Sequence, residues 1–253
     1  MTAQRLLGAM TALMIAAGTS AQSAPSPAAA ATIVLVHGAL IDGSSWRGVY
    51  DVLTKDGYRV RIVQQPLTGL DEDVAATRRV LDQIDGPVIL VGHSYGGAII
   101  TVVGSDPRVK ALVYVAALQP DVGETGGEVA PPMPPASNDL RQTKDGFVFL
   151  DPARFAADFG ADLPKAQAEF MARSQMPVAG AAFSAKLTVA AWRDKPSYAV
   201  IASEDRALDP AIARRMAKRA GSKVTVVKAS HAVLISQPRA VAQVIETAAR
   251  AIK

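Results

Sequence analysis

What most constrains this chain is a rhythm. Short runs rich in Val and Ile, TIVLV (32–36), YRVRIV (58–63), PVIL (87–90), VKALVYVAA (109–117), SYAVIA (197–202) and KVTVV (223–227), alternate with helix-like segments at 45–55, 71–84, 95–105, 210–220 and 238–253. Apolar runs of that length, bounded by Gly, Pro or Asp, have strand character. Strands separated by helices pair in parallel, with helices over both faces of the sheet. The predicted class is therefore α/β, a mostly parallel sheet flanked by helices. The rhythm fails once, between residues 120 and about 192, in a stretch that opens with PDVGETGGEVAPPMPP. Its Pro and Gly content excludes regular helix or strand, and we read residues 120–192 as an inserted, largely helical cap. A chain of 253 residues, 49% of them hydrophobic, can enclose all of this in one domain over 32–253.

The first residues have a different character. Residues 1–5 carry a positive charge, 6–18 are apolar, and Thr19-Ser20-Ala21 forms a small-x-small pattern. That is the layout of a secretory signal peptide over 1–21, followed by an Ala/Ser/Pro-rich spacer over 22–31. The expectation is export, to a periplasm or beyond the cell. The apolar run is too short for a comfortable membrane span, so no integral span is expected after cleavage. With no cysteine in the chain, disulfides, thiolate metal sites and cysteine nucleophiles are excluded. The formal charge of +4 is dispersed, and its densest cluster is Arg214, Arg215, Lys218, Arg219 and Lys223. Without interleaved aromatic residues this reads as a solvated helix face, not a nucleic-acid surface.

Within the rhythm, VILVGHSYGGAII (88–100) sets a polar residue between two apolar segments and fences it with glycines. An ordinary strand-to-helix turn would account for the glycines alone. The pattern G-x-S-x-G also describes a nucleophilic Ser on a sharp turn, with glycines where a Cβ would crowd the crossing. Ser94 would then stand at the head of a helix whose first N–H groups face any developing oxyanion, Tyr95 N–H foremost. A hydroxyl needs an imidazole to take its proton, and the imidazole needs a carboxylate to orient it. Both follow strand-like runs downstream: Ser203-Glu204-Asp205 after SYAVIA, and Ser230-His231 after KVTVV. Of the three histidines, His93 adjoins Ser94 and would point away, and His37 ends the first strand. His231 is left as the base. Asp205 is the preferred acid, with Glu204 adjacent and Asp209 suited to capping the helix that begins at Pro210. His37-Gly38 could be a plain strand-ending turn; in this company it reads as an oxyanion loop, Gly38 permitting close approach and Ala39 N–H supplying a second donor.

LVHGALIDGSSW, LVGHSYGG and the strand ends carrying Asp205 and His231 together resemble the α/β-hydrolase superfamily across the mature chain. HGA, GHSYGG and YVAALQPD are similar to the small capped group of plant methylesterases, hydroxynitrile lyases and bacterial esterases. Two departures narrow what that resemblance implies. Hydroxynitrile lyases of the group carry Thr after the first strand's His and Lys after the catalytic His, where this chain has Gly38 and Ala232. Superfamily dehalogenases and epoxide hydrolases use an Asp nucleophile, where this chain has Ser94. The expectation is hydrolysis of a carboxylic ester on Ser94, Asp205 and His231, with no metal or organic cofactor. Lactone opening, perhydrolysis, carbon–carbon bond hydrolysis on the same triad, and ligand binding without turnover stay open. All six phenylalanines, Phe147, Phe149, Phe155, Phe159, Phe170 and Phe183, fall in the insertion. Their first task is a local core, and a subset would line an apolar pocket for a small to medium uncharged ester. Trp46 and Trp192 read as packing residues.

Overall fold

Buried parallel strands need apolar side chains on both faces, and edge strands do not; the six long runs sort themselves accordingly. The computed structural model describes residues 31–131 and 139–252. In chain order its elements begin with β1 (Thr32–Val36), a 3₁₀ turn (Gly43–Trp46), α1 (Arg47–Lys55), β2 (Arg59–Val63), α2 (Leu70–Leu81), β3 (Val88–His93), α3 (Gly96–Val103) and β4 (Val109–Val115). The inserted segment holds α4 (Gly126–Val129), β5 (Leu140–Gln142), β6 (Phe147–Leu150), α5 (Phe155–Asp158), α6 (Lys165–Arg173), β7 (Val178–Ala179) and α7 (Ala181–Ser184). The sheet domain resumes with β8 (Ser197–Ala202), α8 (Pro210–Arg219), β9 (Lys223–Val227), α9 (Val233–Ser236) and α10 (Pro238–Arg250).

The main sheet is parallel throughout, in the order β2-β1-β3-β4-β8-β9. β1, β3 and β8 are buried at every position, whereas edge strand β9 is largely exposed and edge strand β2 alternates exposed with half-buried positions. One apolar layer packs α2, α3 and α8 on one face, and a second packs α1 and α10 on the other. Local chemistry sets the helix ends: Asp209 caps α8 by accepting from Ala211 N–H at 2.7 Å, with Pro210 in the first turn. The chain leaves β1 for β2 on one side and then returns to lay β3 on the other. Such a reversal opens a crevice at the carboxyl ends of the two strands, and the residues that follow β1 and β3 are His37-Gly38-Ala39 and Ser94.

Two expectations need correction. The insertion is not largely helical: β5, β6 and β7 form a three-stranded antiparallel sheet beside four short helices. Phe147-Val148-Phe149-Leu150 is a short continuous apolar run of strand-forming residues, a signal that the Pro/Gly-rich opening overshadowed. That opening itself contains one helical turn, α4, held by a reciprocal capping box between Thr125 and Glu128. Ala31, at the end of the spacer expected over 22–31, is fully buried in the core. The signal peptide over 1–21 and the rest of the spacer lie outside the described residues. Among the described residues no helix is long and apolar enough to cross a membrane. The basic cluster is only partly a solvated face, since Arg219 reaches the insertion through Glu124 (2.6 Å) and the Gln119 carbonyl (2.9 Å). Trp46 and Trp192 are both buried, the latter donating to the Pro120 carbonyl at 2.8 Å.

Candidate active site

Ser94 follows β3 directly and adopts φ +51°, a left-handed conformation that a non-glycine residue holds only under constraint. The constraint is visible in the hydrogen bonds. Ser94 N–H donates to Val115 O at 3.2 Å, and its carbonyl accepts from Gly97 and Leu118 N–H at 2.9 and 3.0 Å. Glycine is required on either side of the turn: a Cβ on Gly92 would lie 2.6 Å from Gly96 O, and one on Gly96 would lie 2.6 Å from His37 O. The expected elbow is therefore built from close backbone crossings.

The two residues singled out downstream meet Ser94 here. His231 Nε2 lies 2.8 Å from Ser94 Oγ, and His231 Nδ1 lies 2.7 Å from Asp205 Oδ2. Asp205 Oδ1 accepts from the N–H groups of Ala207 and Leu208, each at 2.9 Å. With one carboxylate oxygen taken up by backbone donors, the other faces an Nδ1–H. That tautomer leaves Nε2 as the acceptor for the Ser94 hydroxyl. Asp205 and His231 are both buried. The alternative carboxylates do not reach the imidazole: Glu204 is exposed and lies 3.7 Å from Lys228 Nζ, and Asp209 serves as the α8 cap.

His37 and Gly38 shape the facing loop. Gln65 N–H donates to His37 Nε2 at 3.2 Å, so the proton sits on Nδ1, which donates to Gly38 O at 2.8 Å. Gln65 Nε2 also donates to the His37 carbonyl at 3.0 Å. Burial pushes the His37 pKa down, which keeps the ring neutral and this bonding pattern intact. Gly38 is needed for close approach, as a Cβ there would lie 2.8 Å from Ser94 Cβ. Among the described residues, neither Ala39 N–H nor Tyr95 N–H is spent on a hydrogen bond to another backbone group. His93 does point away from the hydroxyl: its Nε2–H donates to the His231 carbonyl at 3.0 Å, and burial holds its pKa well below the ordinary value.

Sequence reasoning missed two buried supports. One is Gln65, described above. The other is Asp73, fully buried, whose Oδ2 accepts from Tyr95 Oη at 2.8 Å while Oδ1 accepts from Leu67 N–H at 2.8 Å. Burial pushes the Asp73 pKa up. In the sequence, Asp71, Glu72 and Asp73 look like a first-turn acidic run complementing the helix dipole. Nothing local marks the third as inward-facing.

Above Ser94 lies a cavity of about 320 Å³, floored by the sheet domain and walled by the insertion. Leu40, Leu118 and Leu208 line it from one side, and Val148, Phe159 and Phe183 from the other. Among the described residues, Ser94 and His231 are the only lining residues with polar side chains. Of the six phenylalanines, Phe159 and Phe183 line this cavity, Phe155 is buried behind it, and Phe170 is 70% exposed.

A parallel sheet reversing at β1 and β3, with a Ser–His–Asp array at the reversal, defines a class that comparison with known proteins makes specific. Residues 33–244 match the model of the Alpha/beta hydrolase family, and the chain belongs to that family. It is a hydrolase. It is 28% identical to the alpha/beta hydrolase nvfD of Aspergillus novofumigatus over 243 residues, covering 86% of this chain and 96% of that protein. It is 27% identical to a pyrethroid hydrolase of Sphingobium wenxiniae, covering 84% and 85% of the two chains. A methylesterase of Arabidopsis superposes with a TM-score of 0.74 at 18% identity, over 87% of this chain and 99% of that one. The last comparison shows a shared fold.

Proposed function

We propose that this hydrolase cleaves small to medium uncharged, hydrophobic carboxylic esters through an acyl-enzyme on Ser94. His231 Nε2 takes the hydroxyl proton as Ser94 Oγ attacks the ester carbonyl. Asp205 holds the imidazole in the Nδ1–H tautomer and stabilises its cationic form. The N–H groups of Ala39 and Tyr95 receive the tetrahedral oxyanion, each worth roughly 3 kcal/mol of transition-state stabilisation. The tetrahedral intermediate collapses with transfer of the proton from His231 to the leaving alkoxide, giving the alcohol. A water, deprotonated by the same imidazole, then releases the acid and restores Ser94 Oγ–H.

The observation that carries the reading is the hydrogen-bonded array, 2.8 Å and 2.7 Å end to end, at the base of a cavity that no Asp, Glu, Lys or Arg lines among the described residues. An apolar wall cannot offset the desolvation of a charged substrate group, which is the basis for an uncharged ester. The relatives named pyrethroid hydrolase and methylesterase support ester cleavage as the reaction. We extend the proposal to export through residues 1–21, tested by fusing residues 1–31 to a reporter; retention of the reporter in the cytoplasm refutes it.

The enzymatic test is nitrophenol release from p-nitrophenyl esters of increasing acyl length, with Ser94→Ala measured alongside. The parent turns over apolar acyl groups, and the variant falls by several orders of magnitude, about 10⁶-fold in well-studied triads. Equal rates for the two proteins refute the mechanism. A preference for charged acyl groups refutes the substrate class.

A further inference from the structure

This inference rests on the reading of His231 as the base. Residues 158–162, which close α5, belong to the insertion, yet they touch the chain neighbours of both His231 and Asp205. The Phe159 carbonyl accepts from Ala232 N–H at 3.1 Å. Asp162 Oδ1 accepts a short hydrogen bond from the Ser230 hydroxyl, whose oxygen lies 3.1 Å from the Phe159 carbonyl and in turn accepts from Ala232 N–H at 3.2 Å. The residues on either side of His231 are thus both tied to one loop. The Phe159 ring also stands edge-on to the imidazole, with centroids 4.9 Å apart at 82°. On the acid side, Arg206 lies 3.5 Å from the buried carboxylate of Asp158.

A bland account is that these bonds stitch the insertion to the sheet domain. Asp162 argues against it. Asp162 is exposed while its partner Ser230 is buried, so the bond adds no apolar burial to the seam. Its hydroxyl partner nonetheless holds the peptide that carries the imidazole. Partial burial pushes the Asp162 carboxyl up, and hydrogen bonds led by that from Ser230 more than offset this, leaving it below the usual carboxylate range. A single hydroxyl proton goes to the stronger acceptor, the carboxylate, while the Phe159 carbonyl is satisfied by Ala232. Small displacements of a proton-transfer partner cost far more in rate than in stability.

We propose that Asp162 is a positioning residue for His231, acting through Ser230, so that the insertion fixes the base as well as walling the pocket. The test is steady-state hydrolysis of p-nitrophenyl butyrate by the full chain and by Asp162→Ala, Ser230→Ala, the double variant, Asp162→Asn and Ser94→Ala. Each of the two alanine variants lowers kcat about 10- to 100-fold, a range set by the cost of roughly 1 Å of misplacement, with KM held within about twofold. The double variant is no slower than the worse single by more than about twofold, because each single variant already removes the Ser230–Asp162 hydrogen bond. Asp162→Asn retains an acceptor oxygen for Ser230 and recovers at least about a third of the parent kcat. Single variants at parental kcat, or losses that multiply in the double variant, overturn the proposal. A merely structural role lowers the thermal midpoint and leaves kcat of the folded protein unchanged, and that result also overturns it. If Ser94→Ala abolishes turnover while the Asp162 variants keep it, only the positioning role falls. If Ser94→Ala is as active as the parent, the esterase reading falls first and takes this one with it.

Discussion

Replacing Tyr95 by Phe removes one oxygen from beside the proposed nucleophile and leaves its backbone N–H in place. Tyr95 is 1% exposed and Asp73 is fully buried, so no water is at hand to replace the lost donor. The Asp73 carboxylate keeps Leu67 N–H at 2.8 Å on one oxygen and loses its partner at 2.8 Å on the other. The ring itself stays, with its 5.1 Å contact to Phe183, so packing is nearly unchanged. A hydrogen bond to a charged group contributes about 1.5–3 kcal/mol. For a domain of this size that corresponds to a fall of roughly 3–12 °C in Tm.

The pH dependence gives this prediction its sign. Burial raises the Asp73 pKa, and the Tyr95 hydrogen bond lowers it again in part. Without that bond the folded-state pKa rises further above its unfolded value. The folded variant then binds more protons than the folded parent in that window, and its deficit in stability grows as pH rises through it. Once both proteins hold Asp73 protonated, only a neutral hydrogen bond worth about 1 kcal/mol separates them. The assay is thermal unfolding followed by circular dichroism for parent and variant at about pH 8 and about pH 5. Comparing the two proteins at each pH cancels the contribution of every other titrating group. A loss below about 0.5 kcal/mol at both values, or one that grows toward acid, refutes the argument.

Other outcomes follow from the same geometry. Asp205→Asn leaves the site folded but disturbs the imidazole tautomer, lowering kcat by about 10⁴-fold in nitrophenyl ester assays; a drop under tenfold points to another acid. Gly38→Ala drives a Cβ to 2.8 Å from Ser94 Cβ and 2.9 Å from His93 Nδ1, and kcat falls by at least about 10²-fold because the oxyanion loop must move. Phe183→Ala opens the wall of the cavity, and the acyl-length optimum of the ester panel shifts to longer chains; an unmoved optimum places Phe183 away from the acyl group. His37 and His93 are held below their ordinary pKa by burial. The unfolded chain therefore binds protons that the folded one does not as pH falls below the ordinary histidine range, and stability decreases toward acid there. Urea midpoints at about pH 7.5 and about pH 5.5 test this, and a higher midpoint at the lower value contradicts it.

The sheet was legible because each of its features is local. A run such as IVLV (33–36) or AVIA (199–202) is apolar at every position because both faces are covered, and the Ser94 elbow announces itself by glycines that close crossings require. Ser94 and His231 were readable from their places after strands, since a parallel sheet delivers all such positions to one end. Asp205 was the preferred acid, but nothing in the local sequence separates it from Glu204 and Asp209 by geometry. Three carboxylates within six residues differ only in which oxygen reaches Nδ1, and that is fixed by the turn at Ala207 and Leu208 folding back on Asp205 Oδ1. The same holds for Asp73, Gln65 and Asp162. Each acts through a partner between 22 and 68 residues away, and no period or motif encodes such a distance. The small sheet in the insertion was hidden because its strands are only two to four residues long, too short to impose a period against the surrounding Pro and Gly. The sequence by itself determined the alternation from which the parallel sheet is built and the residue types that follow its strands. Tertiary structure alone decided which buried polar groups support it, because only packing decides which side chains lose water together and must find each other.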